Sequence, residues 1–576
     1  MNQKLENILN VSLDATEDEL RKADSLSTGY NWRDNTWEII VKYSGSLESI
    51  RNRYNVYIKE LLNYYAIIVA DKATIELISQ EDVIDYVEKP KSLYYQIERT
   101  KTAACVGSVR ADGNILSGKG VIVGVIDTGI DIFDNAFRNS DGTTRILNIY
   151  DQTTGEKYDK QSIDEYIRLN EDLSGGTFSY DNAPGIDNIM HGTDVLYIAA
   201  GSLGVAYEAD IIAVKMGYSI NNQFPRTTSL MDAIDYIIRK AIEYRKPVAV
   251  NISYGCNYGA HNGNTLLESF IDDISKSYRC VICVGSGNEA DKAIHFGGII
   301  NTGQVQTAYL SVGEYQSAID IQIWKNYWDT IDVMLINPRG EQIGIITEGR
   351  INRYETYNTE IITLIGEPSP YNIYQEIYIN LIPKTDYILS GIWQIVLMAG
   401  SIRAGEYNIW LPSSQALGYA TAFNNPTADG TITIPATARN CIAVGAYNAY
   451  TNSYAAFSGR GFDNSIRNVN AGVKPDITAP GVDISIARQR GNDITYRNVT
   501  GTSYAVPVVT GAAALLMQWG IVMGNDRFMY GEKLKAALID GSKPVGLVGI
   551  TRNDNQPDPR TGWGAVCLKN TLNKIL

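Results

Sequence analysis

Histidine is almost missing from this chain. Its 576 residues include three, His191, His261 and His295, so chemistry that needs an imidazole has few places to occur. Long apolar runs are missing too. No run of about 18 apolar residues is evident, and no membrane span is expected. The opening stretch, Met1 to Asp24, is acidic and helix-like. It lacks the basic-then-apolar order of a secretory signal, so no signal peptide is recognised. Positive charge is in deficit: 50 Lys and Arg stand against 64 Asp and Glu, a net charge of −14. That balance argues against nucleic acid as a partner. Cysteine is sparse, with Cys105, Cys256, Cys280, Cys283, Cys441 and Cys567 scattered along the chain. Cys280 and Cys283 share a C-x-x-C spacing within an apolar run that reads as a strand. Residues three apart on a strand face opposite sides, which excludes joint chelation and leaves buried thiols. Few cysteines and no export signal point to an intracellular, reducing compartment.

What is present divides the chain by rhythm. A composition of 44% hydrophobic and 20% charged residues fits a soluble globular protein, and the length allows two to four domains. Residues 1–96 read as a small α+β unit, with strands at Trp37–Tyr43, Tyr65–Val69 and Val83–Val87 and helices at Ser46–Tyr54 and Ala73–Ser79. Residues 97–300 alternate apolar runs with helical stretches, as a doubly wound parallel sheet does. Within them, Arg138 to Gly185 is polar and reads as a surface insertion. Residues 301–426 carry only short β-type runs and read as an inserted all-β sandwich or jelly roll. Residues 427–576 resume the α/β pattern.

Four motifs carry chemistry. Gly120–Ile126 is a continuous apolar run that ends in Asp127-Thr128-Gly129, which places a carboxylate at the rim of an open α/β sheet, where ligands bind. His191-Gly-Thr-Asp194 opens an apolar helix. Ser286-Gly-Asn288 follows the strand Val281–Val284. Gly501-Thr-Ser503 leads into a buried Ala-rich helix, with Pro507 expected in its first turn. Taken singly, each has an ordinary structural role as turn aspartate, core histidine or helix cap. Together, the order Asp127, His191, Ser503 is one of the chain orders of a Ser-His-Asp triad. A serine hydroxyl needs an imidazole to take its proton, the imidazole needs a carboxylate, and the acyl intermediate needs donors for its oxygen.

These motifs, in this order, resemble the subtilisin-type serine proteases (peptidase S8) across about 119–295 and 427–576. The resemblance implies a triad of Asp127, His191 and Ser503, with Asn288 as oxyanion donor assisted by the Ser503 N–H. It implies that Ser253-Tyr254-Gly255 pairs with substrate as a strand and that Gly285 and Ser286 line the same cleft. By the same resemblance, the first 96 residues are a propeptide, chaperone and inhibitor, processed between Gln96 and Ile97, with Tyr94-Tyr95-Gln96 held in the cleft. A long propeptide and a β insertion between Asn288 and Ser503 are similar to the clostridial Csp proteases of spores, which cut the precursor of a cortex-degrading enzyme during germination. The partners implied are a protein substrate and the chain's own propeptide, in an intracellular or spore-associated setting. The calcium loops of secreted relatives are not recognisable, so no metal or cofactor is expected. Asp194 stands where histidine is common, Leu196 and Tyr197 are bulkier than usual, and Tyr504 replaces a common methionine. These departures motivate an alternative, a catalytically silent pseudoprotease that binds or signals. An esterase would need a G-x-S-x-G elbow, which the serine motif is not.

Overall fold

The computed structural model describes residues 2–92, 94–95, 110–111, 114–173, 183–217, 224–462, 472–490, 493–546 and 557–576. At its centre lies a nine-stranded sheet. Six neighbouring strands run parallel in the order Ile146–Asp151, Asp210–Lys215, Ile122–Asp127, Val248–Ile252, Cys280–Gly285 and Ile442–Asn448. Every residue of the three middle strands, from Ile122–Asp127 to Cys280–Gly285, is buried, because helices cover both faces. Cys280 packs with Ile282 in the core on one face and Cys283 with Val281 on the other. Burial pushes both thiols up to about 12, so neither is a thiolate at neutral pH.

One expected surface stretch is part of this core. Within Arg138–Gly185, the segment Ile146–Asp151 is a strand of the central sheet and Lys160–Leu173 is a helix. The polar composition misleads because the polar groups are satisfied internally. Asn148 donates to Tyr158 O at 3.4 Å and accepts from Tyr244 Oη at 2.8 Å, while Ile146 and Ile149 are fully buried.

The all-β region forms two antiparallel sheets, of six and five strands, packed on a shared core that includes Ile321, Ile377, Leu335 and Ile395. Its first strand, His295–Ile299, pairs with Glu406–Trp410 and so starts ahead of the boundary expected at residue 301. The N-terminal unit is a five-stranded sheet with helices Glu48–Tyr54 and Lys72–Ile78, close to the expected pattern. It lies on the helices Thr227–Tyr244 and Leu266–Ser277. The Tyr65 and Phe270 rings stand 5.3 Å apart, Leu62 N donates to Asp235 at 3.2 Å, Lys91 N donates to Thr227 Oγ1 at 2.7 Å, and Lys91 O accepts from Thr227 N at 2.6 Å. The same unit shares one apolar cluster with Ile362, Leu364, Tyr378 and Ile382 of the β sandwich, and Arg353 reaches Asp14 and Glu19 at 2.8 and 3.1 Å.

Where these parts meet, charge is buried. Lys91 Nζ lies 2.7 Å from Glu6 and 2.5 Å from Glu88, and the other Glu88 oxygen accepts from Leu266 N at a helix start, at 2.8 Å. Burial raises Glu6 from 4.5 to about 7, Glu376 from 4.5 to about 8 and Asp320 from 3.8 to about 6, and lowers Lys89 to about 7. An acid raised in the folded state holds a proton that the unfolded chain has released. The stability it contributes is present below its ordinary value and is lost as pH rises through the folded one. Lys89 acts oppositely, but only from about pH 7 upward. The melting temperature is therefore expected to fall between about pH 5 and 7, and Glu376→Gln should flatten that fall. Equal slopes for wild type and variant would contradict this assignment.

Candidate active site

Asp127 ends its strand at the C-terminal rim of the central sheet and is fully buried. Its Oδ1 accepts from Thr128 N at 2.8 Å and from His191 Nδ1 at 2.6 Å. A carboxylate oxygen accepts, so the proton of this bond sits on Nδ1 and Nε2 is the ring nitrogen left to face a reacting group. That Nε2 is buried and makes no hydrogen bond among the described residues.

The helix His191–Ala200 is held at its start by the side chain of Asp187. One carboxylate oxygen accepts from Met190 N and Thr128 Oγ1 at 2.7 and 2.8 Å, and the other from Thr193 N and Oγ1 at 2.8 Å each. Thr128 Oγ1 in turn accepts from Gly192 N at 2.9 Å, so the neighbours of Asp127 and His191 are bonded to each other. Gly192 permits this approach, since a Cβ there would lie 2.4 Å from Gly129 O.

Ser503 is the second residue of the helix Thr502–Met517, whose cap is Gly501 at φ 148°. Pro507 is the sixth residue, past the first turn where it was expected. Lacking an N–H, it cannot bond the carbonyl of Ser503. The Ser253 hydroxyl donates to that carbonyl at 3.4 Å, and Ser253 accepts from Asn251 Nδ2 at 3.0 Å. The proline thus frees an acceptor that joins the serine helix to the segment Ser253-Tyr254-Gly255. By length and composition Thr502–Val522 could cross a membrane, a stretch that the expectation of no such run overlooked. Its most apolar window is 89% buried, because it is the central helix packed on the sheet. Tyr504, the residue after the serine, sets its ring 5.3 Å from that of His191.

Asn288 lies beside this helix start. Its Oδ1 accepts from Thr502 N at 3.0 Å and Thr502 Oγ1 at 3.1 Å. A backbone N–H is only a donor, so the amide orientation is fixed and Nδ2 faces away from Thr502. Gly285 ends its strand, and the Ser286 hydroxyl meets Ser458 Oγ at 3.3 Å inside the body of the protein. Tyr254–Gly255 pairs antiparallel with Tyr94–Tyr95, with Tyr254 opposite Tyr95 and Gly255 opposite Tyr94. Gln96 and Ile97 lie outside the described residues.

Three participants have no sequence motif. Thr433 fills the gap between the two glycine walls: a Cβ at Gly255 would lie 2.4 Å from its Oγ1, and one at Gly287 2.7 Å from its Cγ2. Arg488 and Arg497 reach Asp194, which is fully buried. Asp194 therefore pairs with cations, and Leu196 and Tyr197 are buried in the apolar core. His261 and His295 both stack on the Trp410 ring, at 4.2 and 4.9 Å. Among the described residues, no group of three or more His, Cys, Asp or Glu side chains is arranged to hold a metal ion.

This constellation has counterparts in known proteins. Residues 118–371 and 404–564 match the subtilase family, and residues 3–91 match the Csp protease B prodomain. The chain belongs to the subtilase family of serine proteases and carries a Csp-type prodomain. The solved CspB protease of Clostridium perfringens is 34% identical, with a TM-score of 0.72 over 80% of this chain and 94% of that one. A subtilase-type proteinase of Saccharomyces cerevisiae is 33% identical over 128 residues, 22% of this chain and 23% of the yeast protein. Subtilisin-like protease 10 of Arthroderma otae is 34% identical over 120 residues, 21% of this chain and 27% of the fungal one. The chain thus aligns with about a quarter of the length of these two curated relatives.

Proposed function

We propose that the protein is a serine endopeptidase in which His191 Nε2 takes the proton of the Ser503 hydroxyl as that oxygen attacks a peptide carbonyl. Asp127 holds the Nδ1–H tautomer and stabilises the imidazolium that forms. The Asn288 Nδ2 and Ser503 N–H donate to the oxyanion. His191 then returns the proton to the leaving amine, and water repeats the sequence to release the acyl group. The observation that carries this reading is the 2.6 Å Asp127–His191 bond, which leaves a buried Nε2 without a partner beside the helix that bears Ser503. Hydrogen bonds to a catalytic base are commonly loose before substrate binds. Asn288→Ala removes one oxyanion donor and is expected to lower kcat about 10²–10³-fold with KM little changed, measured on a peptide substrate.

The pairing of Tyr94–Tyr95 with Tyr254–Gly255 supports a processing bond just beyond that strand, between Gln96 and Ile97. The cut prodomain stays docked through Glu88, Lys91 and its shared core with the β sandwich, and blocks protein substrates until it is displaced. By likeness to the Csp proteases, the substrate is the precursor of a cortex hydrolase, cut during germination in an intracellular or spore-associated setting. The test is incubation with a peptide library beside Ser503→Ala. The account expects cleavage by wild type alone, and no cleavage by either favours the silent pseudoprotease.

A further inference from the structure

Asp194 lies in the first turn of the helix that begins with His191, and its side chain is 0% exposed. A buried carboxylate persists only if it is paired and hydrogen-bonded. Arg488 binds its Oδ1 through Nε at 3.0 Å and also through Nη2, while Arg497 binds its Oδ2 through Nη2. The same Arg488 Nη2 donates to Met190 O at 3.0 Å, and Arg497 Nη2 reaches that oxygen at 3.4 Å. Met190 is the residue before His191 and takes the left-handed conformation, φ 67°, that starts the helix. The guanidiniums therefore grip the backbone before His191 and the side chain after it.

Both arginines come from the hairpin of Ile484–Arg490 and Asp493–Val499, in which Ile486 faces Arg497. Its second strand leads through Thr500, Gly501 and Thr502 into Ser503. On the other side, Asp187 and Thr128 bond the helix start to the neighbour of Asp127. The three segments that bear the proposed triad are thus linked in series, and the arginine cluster is the link between the His191 helix and the segment that leads to Ser503.

We propose that Asp194, Arg488 and Arg497 are positioning residues that fix His191 relative to Ser503. The inference rests on the proposed triad. It explains why an aspartate stands at this position: the hairpin supplies two cations that only a buried anion can accept. Misplacing a base by about 1 Å costs on the order of 10²-fold, and a lysine cannot reproduce a guanidinium that binds a carboxylate and a carbonyl together.

The test uses the full-length chain and a small fluorophosphonate that acylates an activated serine. The maximal inactivation rate is separated from the probe's binding constant, and the melting temperature is recorded. Asp194→Asn and Arg488→Met are expected to lower the maximal rate at least about 10-fold with probe binding within about twofold, and Arg488→Lys should not restore it. Folded variants that react within about twofold of wild type would overturn the inference, as would full rescue by lysine, which would reduce the cluster to a charge effect. If those variants fail to fold, Arg497→Met decides. That side chain is 41% exposed, and its loss leaves Arg488 on Asp194. A slower maximal rate supports the clamp and an unchanged one overturns it. If wild type itself does not react while folded, the triad reading fails first and this inference falls with it, an outcome distinct from reactive wild type and reactive variants.

Discussion

His191→Ala should lower kcat/KM for peptide cleavage by about 10⁴-fold or more while the chain stays folded. The size follows from what the ring does in this site. It is the one imidazole bonded to Asp127, and the other two histidines of the chain are committed to backbone and amide oxygens beside Trp410. No second imidazole among the described residues stands in for it. The hydroxyl of Ser503 would have to ionise unaided at a pH far below its own pKa. Packing loss is a separate effect, which a melting curve measures. A fall of only a few-fold would mean that hydrolysis runs through some other base.

Ser503→Ala should yield a chain that remains whole at 63.5 kDa on a denaturing gel, where wild type should show a split near Gln96. The tail strand Tyr94–Tyr95 is already paired with Tyr254–Gly255, and Ser253 is bonded to the carbonyl of Ser503. On the proposed processing, the bond after Gln96 would reach Ser503 within the same chain, and an intramolecular cut needs no encounter. Only the hydroxyl is missing in the variant. Because burial against the β sandwich and the Glu88–Leu266 bond do not depend on the cut, the variant should keep its prodomain docked and its fold intact. A split of the same size in the alanine variant would assign the cleavage to another protease.

Much of this was legible in the sequence for physical reasons. Buried parallel strands must be apolar on both faces, so Ile122–Asp127 and Cys280–Gly285 announce themselves, and the motif residues sit at their ends. The meeting of Asp127 with His191, and of Asn288 with the start of the helix that bears Ser503, could be anticipated because acyl-transfer chemistry restricts the residue types. Ile146–Asp151 could not, since its asparagine is satisfied by partners distant in sequence, Tyr158 and Tyr244. The position of Pro507 was misjudged because the helix begins at Thr502, set by the glycine cap rather than by the apolar run. Asp194 was visible as an oddity, but its partners were not. Arg488 and Arg497 come from a hairpin about 300 residues later, and a salt bridge leaves no periodic trace. Thr433 enters the cleft from beyond the β insertion, and no spacing rule reaches across it.

The account stands on one relay, in which Asp127, His191 and Ser503 act together to make a nucleophile. Its most direct test is to treat folded wild type with a fluorophosphonate and map the adduct by peptide mass spectrometry. The account predicts a single adduct on Ser503. A folded wild-type protein with no adduct, or with the adduct on a different serine, would contradict it.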